Sequence, residues 1–127
     1  MASDELTVLL DAAVDAIVMI DGAGRIQVFN PAAERLFGYK SPEILGRNVS
    51  ALMTEQDAQN HDRHIAQYLA TRVPHIIGKG REVTARRKDG TLFPAFLSVG
   101  VVAASEPIRF VGFIQDLTLQ VDLEFDR

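Results

Sequence analysis

The sequence has 127 residues, of which 47% are hydrophobic and 24% charged, which is the size and balance of one globular domain with its own core. Its net charge of −4 argues against a sequence-independent nucleic-acid binder, because such a protein needs a surplus of Lys and Arg to displace counterions. The absence of cysteine excludes disulfides and Cys-ligated metal sites, and the lack of a signal peptide or a long apolar run predicts a soluble cytoplasmic domain without membrane insertion.

The first predicted element is a short amphipathic helix. Ser3 is a candidate N-cap, and Leu6, Leu9, Leu10 and Ala13 fall on one side of the helix. Because so short an apolar face has to pack on the domain or on a second copy of itself, it predicts a dimer contact.

Two short apolar runs around a glycine-containing turn come next. Residues 16–21 are apolar on both faces and predict a central strand, whereas residues 25–30 alternate between apolar and polar. The turn contains Gly22 and Gly24, and the whole stretch predicts a β-hairpin. The alternative is a phosphate-binding loop, which lacks support because a third glycine is missing and a strand follows instead of a helix.

A helix start follows the hairpin directly. Asn30 can accept a backbone N–H as the N-cap, and Pro31 suits the first helical position because its missing donor costs nothing there. The predicted helix ends at Gly38, which can adopt the left-handed conformation of a C-cap.

Two further helix starts are predicted before the chain returns to strands. Ser41 followed by Pro42 repeats the signal that starts the preceding helix, and it predicts a second short helix with Ser41 as the N-cap and Gly46 at its end. Thr54 and Asp57 resemble a capping box with Asp in the Glu place, and they predict the start of a third helix.

The last part of the chain has the two-residue period of strands. The pattern predicts one strand around residues 82–86, a turn at residues 88–90, a long strand over residues 92–104 and a last strand over residues 108–117. The basic cluster at residues 86–88 flanks the turn and is expected to be solvated; it lacks the aromatic platforms that would favour nucleic acid. Two strands, several short helices and three strands with antiparallel hairpins indicate the α+β class.

Four stretches of the sequence resemble a PAS domain. They are LLDAAVDAIVMIDGAGRIQVFNPAAERLFGY, SPEILGRNVSALM, GREVTARRKDGTLFPAFLSV and GFIQDLT. From the first stretch to the last, the resemblance spans nearly the whole chain. The resemblance implies a five-stranded antiparallel sheet in the order 2-1-5-4-3, with several short helices on one face and a ligand cleft between. It divides the chain into an N-terminal amphipathic helix (1–14), a PAS core (15–118) and a C-terminal tail towards a missing or partner effector (119–127).

The same resemblance implies a role in signal transduction. PAS domains are sensory input modules of two-component systems and related proteins, so the expected partners are an output kinase, cyclase or regulator domain. A homodimer through the N-terminal helix and the sheet is expected as well. The chain carries none of the usual catalytic motifs, and we expect neither catalysis nor nucleic-acid binding.

The segment from His61 to Arg81 is similar to the oxygen-sensing haem PAS domains of the FixL type. This resemblance implies haem b as the cofactor, with His61 as the ligand of the iron and His75 near a haem propionate. It implies that Arg81 is the switch residue, alternating between a propionate and the bound gas. The other candidate cofactor-binding residues are Ile65, Tyr68, Ile76, Leu97 and Val99. Leu97 and Val99 would form the apolar distal wall.

The helical period supports His61 without deciding its role. At about 100° per residue, His61 shares a stripe with Ile65 and Tyr68, which suits an axial ligand in a dry pocket. The same stripe also suits a core histidine bonded to a carbonyl group. His64 is the rival ligand, although its stripe is more polar. A cofactor-free or other small-ligand PAS module for dimerisation and protein interaction therefore stays open as the alternative function.

Overall fold

The computed structural model describes residues 2–57, 80–102 and 108–118. Its elements in chain order are α1 (Ala2–Ala12), β1 (Ala16–Asp21), β2 (Ile26–Phe29), α2 (Pro31–Phe37), α3 (Ser41–Ile44), a 3₁₀ turn (Val49–Leu52), β3 (Arg81–Arg86), β4 (Leu92–Val102) and β5 (Arg109–Asp116). The predicted α+β class is confirmed.

The five strands form one sheet in the order β2-β1-β5-β4-β3, and every neighbouring pair is antiparallel. The order predicted from the PAS resemblance is therefore confirmed. Strand β1 lies between β2 and β5, as its continuous apolar run indicates. The neighbouring strands β1 and β5 come from opposite ends of the described chain. The sheet therefore forms only when residues 16–21 pair with residues 109–116.

The side chains on the two faces of the sheet differ in how deeply they are buried. The inner face carries Val18 of β1 and Ile114 of β5, which are buried together with most of the core. The outer face carries the alternate residues, such as Ile17 and Met19, which are half-buried, and Phe113, which is exposed. Because side chains alternate along a strand and directly paired residues share a face, this assignment fixes the faces of the residues in β3, β4 and β5 through the register of the ladder. The β1–β2 ladder instead has a register shift directly after Met19.

An aromatic cluster ties α2 to the inner face. The ring of Phe37, at the end of α2, lies 6.0 Å from that of Phe29 and 5.6 Å from that of Phe93, centroid to centroid. These tilted and edge-to-face arrangements are the ones that aromatic quadrupoles favour. Phe37 is among the most completely buried large side chains in the described part of the chain, so α2 is an integral part of the core.

The caps of α2 are those that the sequence predicts. Asn30 Oδ1 accepts the backbone N–H of Ala33 at 3.0 Å, and Pro31 is the first helical residue. Gly38 ends the helix with a φ of 85° and donates its N–H to the carbonyl of Glu34. This left-handed conformation is the one that glycine adopts without steric cost.

The start of α3 differs from the prediction. Ser41 is the first helical residue rather than the cap, and the backbone N–H of Lys40 donates to Glu43 Oε1 at 2.8 Å. The Ser41 hydroxyl donates instead to the carbonyl of Phe29 at 2.7 Å. The serine was wrongly assigned as a cap because its hydroxyl bonds a distant strand, a competitor that a local pattern cannot reveal.

Two other predicted boundaries reach the edge of the described residues. Residues 55–57 are helical, and the N–H of Asp57 donates to Thr54 Oγ1 at 3.3 Å, so the third helix begins where predicted. Its continuation over residues 58–79 lies outside the described residues. So do residues 103–104, at the predicted end of the long strand, and the tail over residues 119–127.

Candidate functional site

The structure describes three of the residues that the sequence assigns to a cofactor site. Arg81 begins β3, and Leu97 and Val99 lie in β4. The other five lie within residues 58–79, outside the described residues: His61, Ile65, Tyr68, His75 and Ile76. The prediction that they hold a cofactor stays a prediction.

Arg81 and Leu97 occupy the same rung of the sheet. They are directly opposite each other in the β3–β4 ladder, and Leu97 is in turn opposite Ile114 of β5. The rung therefore places Arg81 on the inner face, next to a leucine that packs against the core. Arg81 itself is exposed, so its guanidinium group, with five N–H donors, stands at the open end of an apolar rung.

Val99 and Gly112 continue the inner face beside Leu97. Gly112 of β5 is paired with Val99 on one side and with Val18 on the other. A methyl group added at Gly112 would meet Leu97 Cδ1 at 3.5 Å and the carbonyl of Val18 at 3.7 Å. Leu97 thus lies over a strand position that has no side chain, and Leu97, Val99 and Gly112 form a shallow apolar floor.

This floor is an apolar surface with one cation at its end. Leu97 and Val99 are half-buried and offer only carbon atoms, while the cation of Arg81 lies at the end of the same face. A guanidinium group can pair with a carboxylate through two parallel N–H bonds. Among the described residues there is no group of three or more His, Asp or Glu side chains that could hold a metal ion. His61, the metal ligand expected from the resemblance, lies outside those residues.

Arg86 and Arg87 of the basic cluster at residues 86–88 are engaged within the domain, contrary to the expectation that the cluster is solvated. Arg86 and Arg87 are half-buried; Arg86 Nε donates to the carbonyl of Ala51 at 3.4 Å. Lys88 is exposed, but its Nζ lies 3.0 Å from Glu43 Oε2. The charges are therefore directed at acceptors of this chain rather than arranged as a basic surface.

Arg87 joins three parts of the domain. Its guanidinium carbon lies 4.1 Å from the centroid of the Phe93 ring, and its Nε donates to the carbonyl of Leu36 at 3.2 Å. Its Nη2 lies 3.9 Å from Asp116 Oδ2, at the end of β5. No local pattern distinguishes Arg87 from the two cations beside it, because its partners are distant along the chain.

The end of β5 is a turn built on Asp116. Its Oδ1 accepts the backbone N–H of Thr118 at 2.9 Å, a bond that a short acidic side chain makes readily to its own backbone two residues on. The sequence marks Asp116 and Thr118 as part of a stretch typical of the PAS family. The turn fixes the direction in which the chain leaves the sheet towards residues 119–127.

Asn30 was predicted as a helix cap and does more than that. Its side chain is only 3% exposed and makes four hydrogen bonds, two as acceptor from Ile17 and Ala33 and two as donor to Leu10 and Asp15. The cap to Ala33 follows from local sequence. The other three bonds are to backbone groups of earlier segments, and no residue type in those segments signals them.

The PAS fold family model matches residues 4–117. The chain belongs to the PAS family. The similarity to the FixL type is confirmed as well: the chain is 49% identical over 110 residues to the sensor protein FixL of Bradyrhizobium diazoefficiens, covering 87% of this chain and 22% of that protein. It is 30% identical over 115 residues to the cell-division control histidine kinase PdhS of Brucella ovis, covering 91% of this chain and 11% of the kinase.

Solved structures agree with the family on the fold. The PAS domain of an HTR-like protein from Haloarcula marismortui superposes with a TM-score of 0.75 at 21% identity, covering 91% of each chain. The 127-residue chain matches less than a quarter of the length of FixL and of PdhS. No described helix is long and apolar enough to cross a membrane.

Proposed function

We propose that this chain is the sensory PAS domain of a cytoplasmic signal-transduction protein, and that it binds haem b through His61 to sense oxygen or another diatomic gas. The domain has no catalytic role of its own in this proposal. It is divided into the N-terminal helix (1–14), the PAS core (15–118) and a tail (119–127) that leads to an output kinase, cyclase or regulator domain.

The observation that carries the proposal is the rung on which Arg81 faces Leu97, combined with 49% identity to a sensor protein of the type that the sequence resembles. Haem, when bound, supplies an iron centre to which a diatomic gas can bind. The protein supplies the rest. Leu97 and Val99 exclude water from one face of the pocket, and Arg81 provides a fixed positive charge that can pair with a carboxylate.

Each candidate residue has a distinct task in this proposal. His61 would hold the metal through a neutral imidazole nitrogen, which requires that its ring be deprotonated and shielded from water. His75, with Ile76 beside it in the sequence, would lie towards the acidic edge of the cofactor, and Ile65 and Tyr68 would extend the apolar wall. Arg81 exchanges one hydrogen-bond partner for another when the contents of the pocket change, since a ligand can shift a protein only through different contacts in two states.

An absorption spectrum of the protein reconstituted with haem tests the proposal. We expect stoichiometric retention of haem and a Soret band that shifts when oxygen or carbon monoxide is added. His61→Ala should abolish both. His64→Ala is the matched control, because it removes a histidine three positions further along and should leave the spectrum as it is in the wild type.

Two results would contradict the haem proposal. One is a wild-type protein that does not retain stoichiometric haem after gel filtration. The other is a spectrum that survives His61→Ala but disappears in His64→Ala, which would move the ligand to the rival histidine. Arg81→Ala separates haem binding from gas sensing. This variant should retain haem and change only the affinity for the gas.

The alternative function is a cofactor-free, or other small-ligand, module for dimerisation and protein interaction. Exposed apolar side chains favour it: Leu9 of α1 is 69% exposed, and Phe96 and Phe113 are exposed on the outer face of the sheet. A second copy that covers α1 and this face would remove them from water, with about 25 cal/mol gained for each Å² of apolar surface. The dimer is compatible with either function.

Light scattering distinguishes an interface from incidental exposure. Leu9→Glu and Phe113→Glu should each convert a dimer to a monomer, since a charge buried between two copies without a partner is costly. Leu45→Glu is the control, because Leu45 is 43% exposed but follows α3, away from both surfaces. A mass that is the same in all three variants and in the wild type contradicts this interface.

A further inference from the structure

Asn30 is the buried polar residue of the described part of the chain, and its amide is fully used. Oδ1 accepts from the backbone N–H of Ile17 at 2.8 Å and of Ala33 at 3.0 Å. Nδ2 donates to the carbonyl of Leu10 and to the carbonyl of Asp15, both at 3.1 Å. A primary amide has two donor hydrogens and an oxygen with two lone pairs, so each capacity has one partner.

The two ends of this amide serve different parts of the protein. The oxygen bonds groups of the core, namely the start of β1 at Ile17 and the first turn of α2 at Ala33. The nitrogen bonds only the N-terminal segment. Leu10 lies in the last turn of α1, whose carbonyl groups have no partner within the helix, and Asp15 lies in the connection from α1 to β1.

Most of the α1 side chains whose burial the structure describes are exposed. Val8 is 64% exposed, Leu9 is 69% exposed and Asp11 is exposed, whereas Leu10 is half-buried. Burial of apolar surface is the main force that docks a helix, and these two exposed apolar side chains, Val8 and Leu9, contribute little of it. The bonds from Asn30 to Leu10 and Asp15 are polar attachments of the N-terminal segment to the core.

We propose that the Asn30 amide is a latch that holds the N-terminal helix on the domain, and that α1 is released as a unit when the two N–H bonds break while the sheet and α2 stay folded. The same side chain holds Ile17, which pairs with Phe113 of β5. A shift of β1 relative to α2 moves the amide away from Leu10, so the state of the sheet controls the docking of α1. This proposal does not depend on haem.

Asn30→Asp separates the two ends of the latch. A carboxylate still accepts from Ile17 and Ala33, and Asp is as good an N-cap as Asn, so α2 and β1 keep their bonds. It has no hydrogen to donate to Leu10 or Asp15, and its oxygen atoms repel those carbonyl groups. The substitution should free α1 and leave the core in place.

Asn48→Asp is the matched control. Asn48 also caps a helical turn, with Oδ1 accepting from Ser50 N–H at 2.9 Å, and its Nδ2 also donates to a carbonyl, that of Ala23, at 3.4 Å. The same chemical change is thus made at a site away from α1. It should leave the N-terminal helix docked.

The absence of cysteine in the chain gives a clean readout. Val8→Cys creates a single spin-label site on the exposed side of α1, and Leu92→Cys creates one at the exposed start of β4. In the Asn30→Asp background the label at position 8 should become mobile, and the label at position 92 should not change. An unchanged label at position 8, with the protein folded by circular dichroism, overturns the proposal.

Hydrogen exchange of the unlabelled, haem-free protein gives a second test. In the wild type the last amides of α1 should exchange at least about tenfold faster than those of β1, as expected of a separately opening unit. If the buried carboxylate unfolds Asn30→Asp, then Asn30→Ser replaces it, because its hydroxyl caps α2 without a charge. The shorter side chain also gives up the bond to Ile17, so Asn30→Ser should speed exchange in α1 by a larger factor than in β1. Exchange of α1 at the rate of β1, or no effect of Asn30→Ser on α1, overturns the latch.

Discussion

Two glutamates near α3 accept backbone N–H groups, and these bonds lower their pKa values. The N–H of Ser41 donates to Glu34 Oε2 at 2.7 Å, and the N–H of Lys40 donates to Glu43 Oε1 at 2.8 Å. In both cases the backbone hydrogen bond is the largest cause of the lowered pKa, because it favours the charged carboxylate. The two glutamates thereby fix the segment between α2 and α3.

Acid should weaken the domain through these carboxylates. A group whose pKa is lowered by folding stabilises the native state above its unfolded pKa of about 4.5, and this stabilisation disappears as the pH falls through the folded pKa. Glu34→Gln should therefore reduce the dependence of the free energy of unfolding on pH between about pH 5 and about pH 3. Urea denaturation at a series of pH values measures it, and an identical slope in wild type and variant contradicts it.

Gly38 supports a second prediction for a single residue. Its φ of 85° is unfavourable for any residue with a Cβ, so Gly38→Ala should lower the free energy of unfolding by about 1 kcal/mol. Gly100→Ala is the control, because Gly100 lies in β4 and an added Cβ would make only an ordinary contact of 3.5 Å with Val111. Thermal denaturation should show a loss at Gly38 alone; equal losses at the two sites contradict the explanation.

The β3–β4 hairpin is the element that Arg87 attaches to the rest of the domain. The guanidinium group covers the Phe93 ring, bonds the carbonyl at the end of α2 and approaches Asp116. The 3.9 Å ion pair with Asp116 is part-exposed and contributes little, as surface pairs do. Packing on the ring and the bond to Leu36 are the larger contributions.

This ranking of contacts can be measured. Arg87→Ala should lower the free energy of unfolding by about 1–3 kcal/mol, because it leaves the Leu36 carbonyl without its donor and uncovers the ring. Asp116→Asn removes only the ion pair and should cost at most about 1 kcal/mol. Denaturant titration compares them; a larger loss in Asp116→Asn would show that the ion pair, and not the packing, holds the hairpin.

At the scale of the whole molecule, the sheet is assembled from contacts between distant parts of the chain. Strand β1 pairs with β5 over six residue pairs, from Ala16 with Ile114 to Asp21 with Arg109. A ligand held between this sheet and residues 58–79 would bind only the folded state. Its binding energy is therefore added to the stability of the domain.

Haem should accordingly raise the melting temperature of the wild type. At a free concentration one hundred times the dissociation constant, a single site adds about 2.7 kcal/mol to the free energy of unfolding. In His61→Ala, haem should raise the melting temperature by much less than in the wild type. In His64→Ala it should raise the melting temperature by as much as in the wild type. Differential scanning calorimetry with and without haem makes the comparison, and equal shifts in His61→Ala and the wild type contradict the assignment of His61.

Much of the fold could be predicted because the signals are local. The strand at residues 16–21, the cap at Asn30 and the left-handed Gly38 each depend on groups within a few positions of one another. The sheet order was accessible only through resemblance to a family. The Ser41 cap was wrong, and Arg87 was wrongly expected to be solvated, because a strand carbonyl and a buried ring compete for those side chains.

The sequence by itself determined the strands, both ends of α2 and the family, since alternation and capping act over two to four residues. It misplaced the start of α1, which begins before the predicted cap Ser3. Only the tertiary structure decided that Arg81 shares the inner face with Leu97, because a strand's face depends on its register with its neighbour. It also decided that Arg87 bonds a carbonyl 51 positions away and that Asn30 bonds one 20 positions away. Those partners are backbone groups, whose positions follow from the path of the chain and not from residue type.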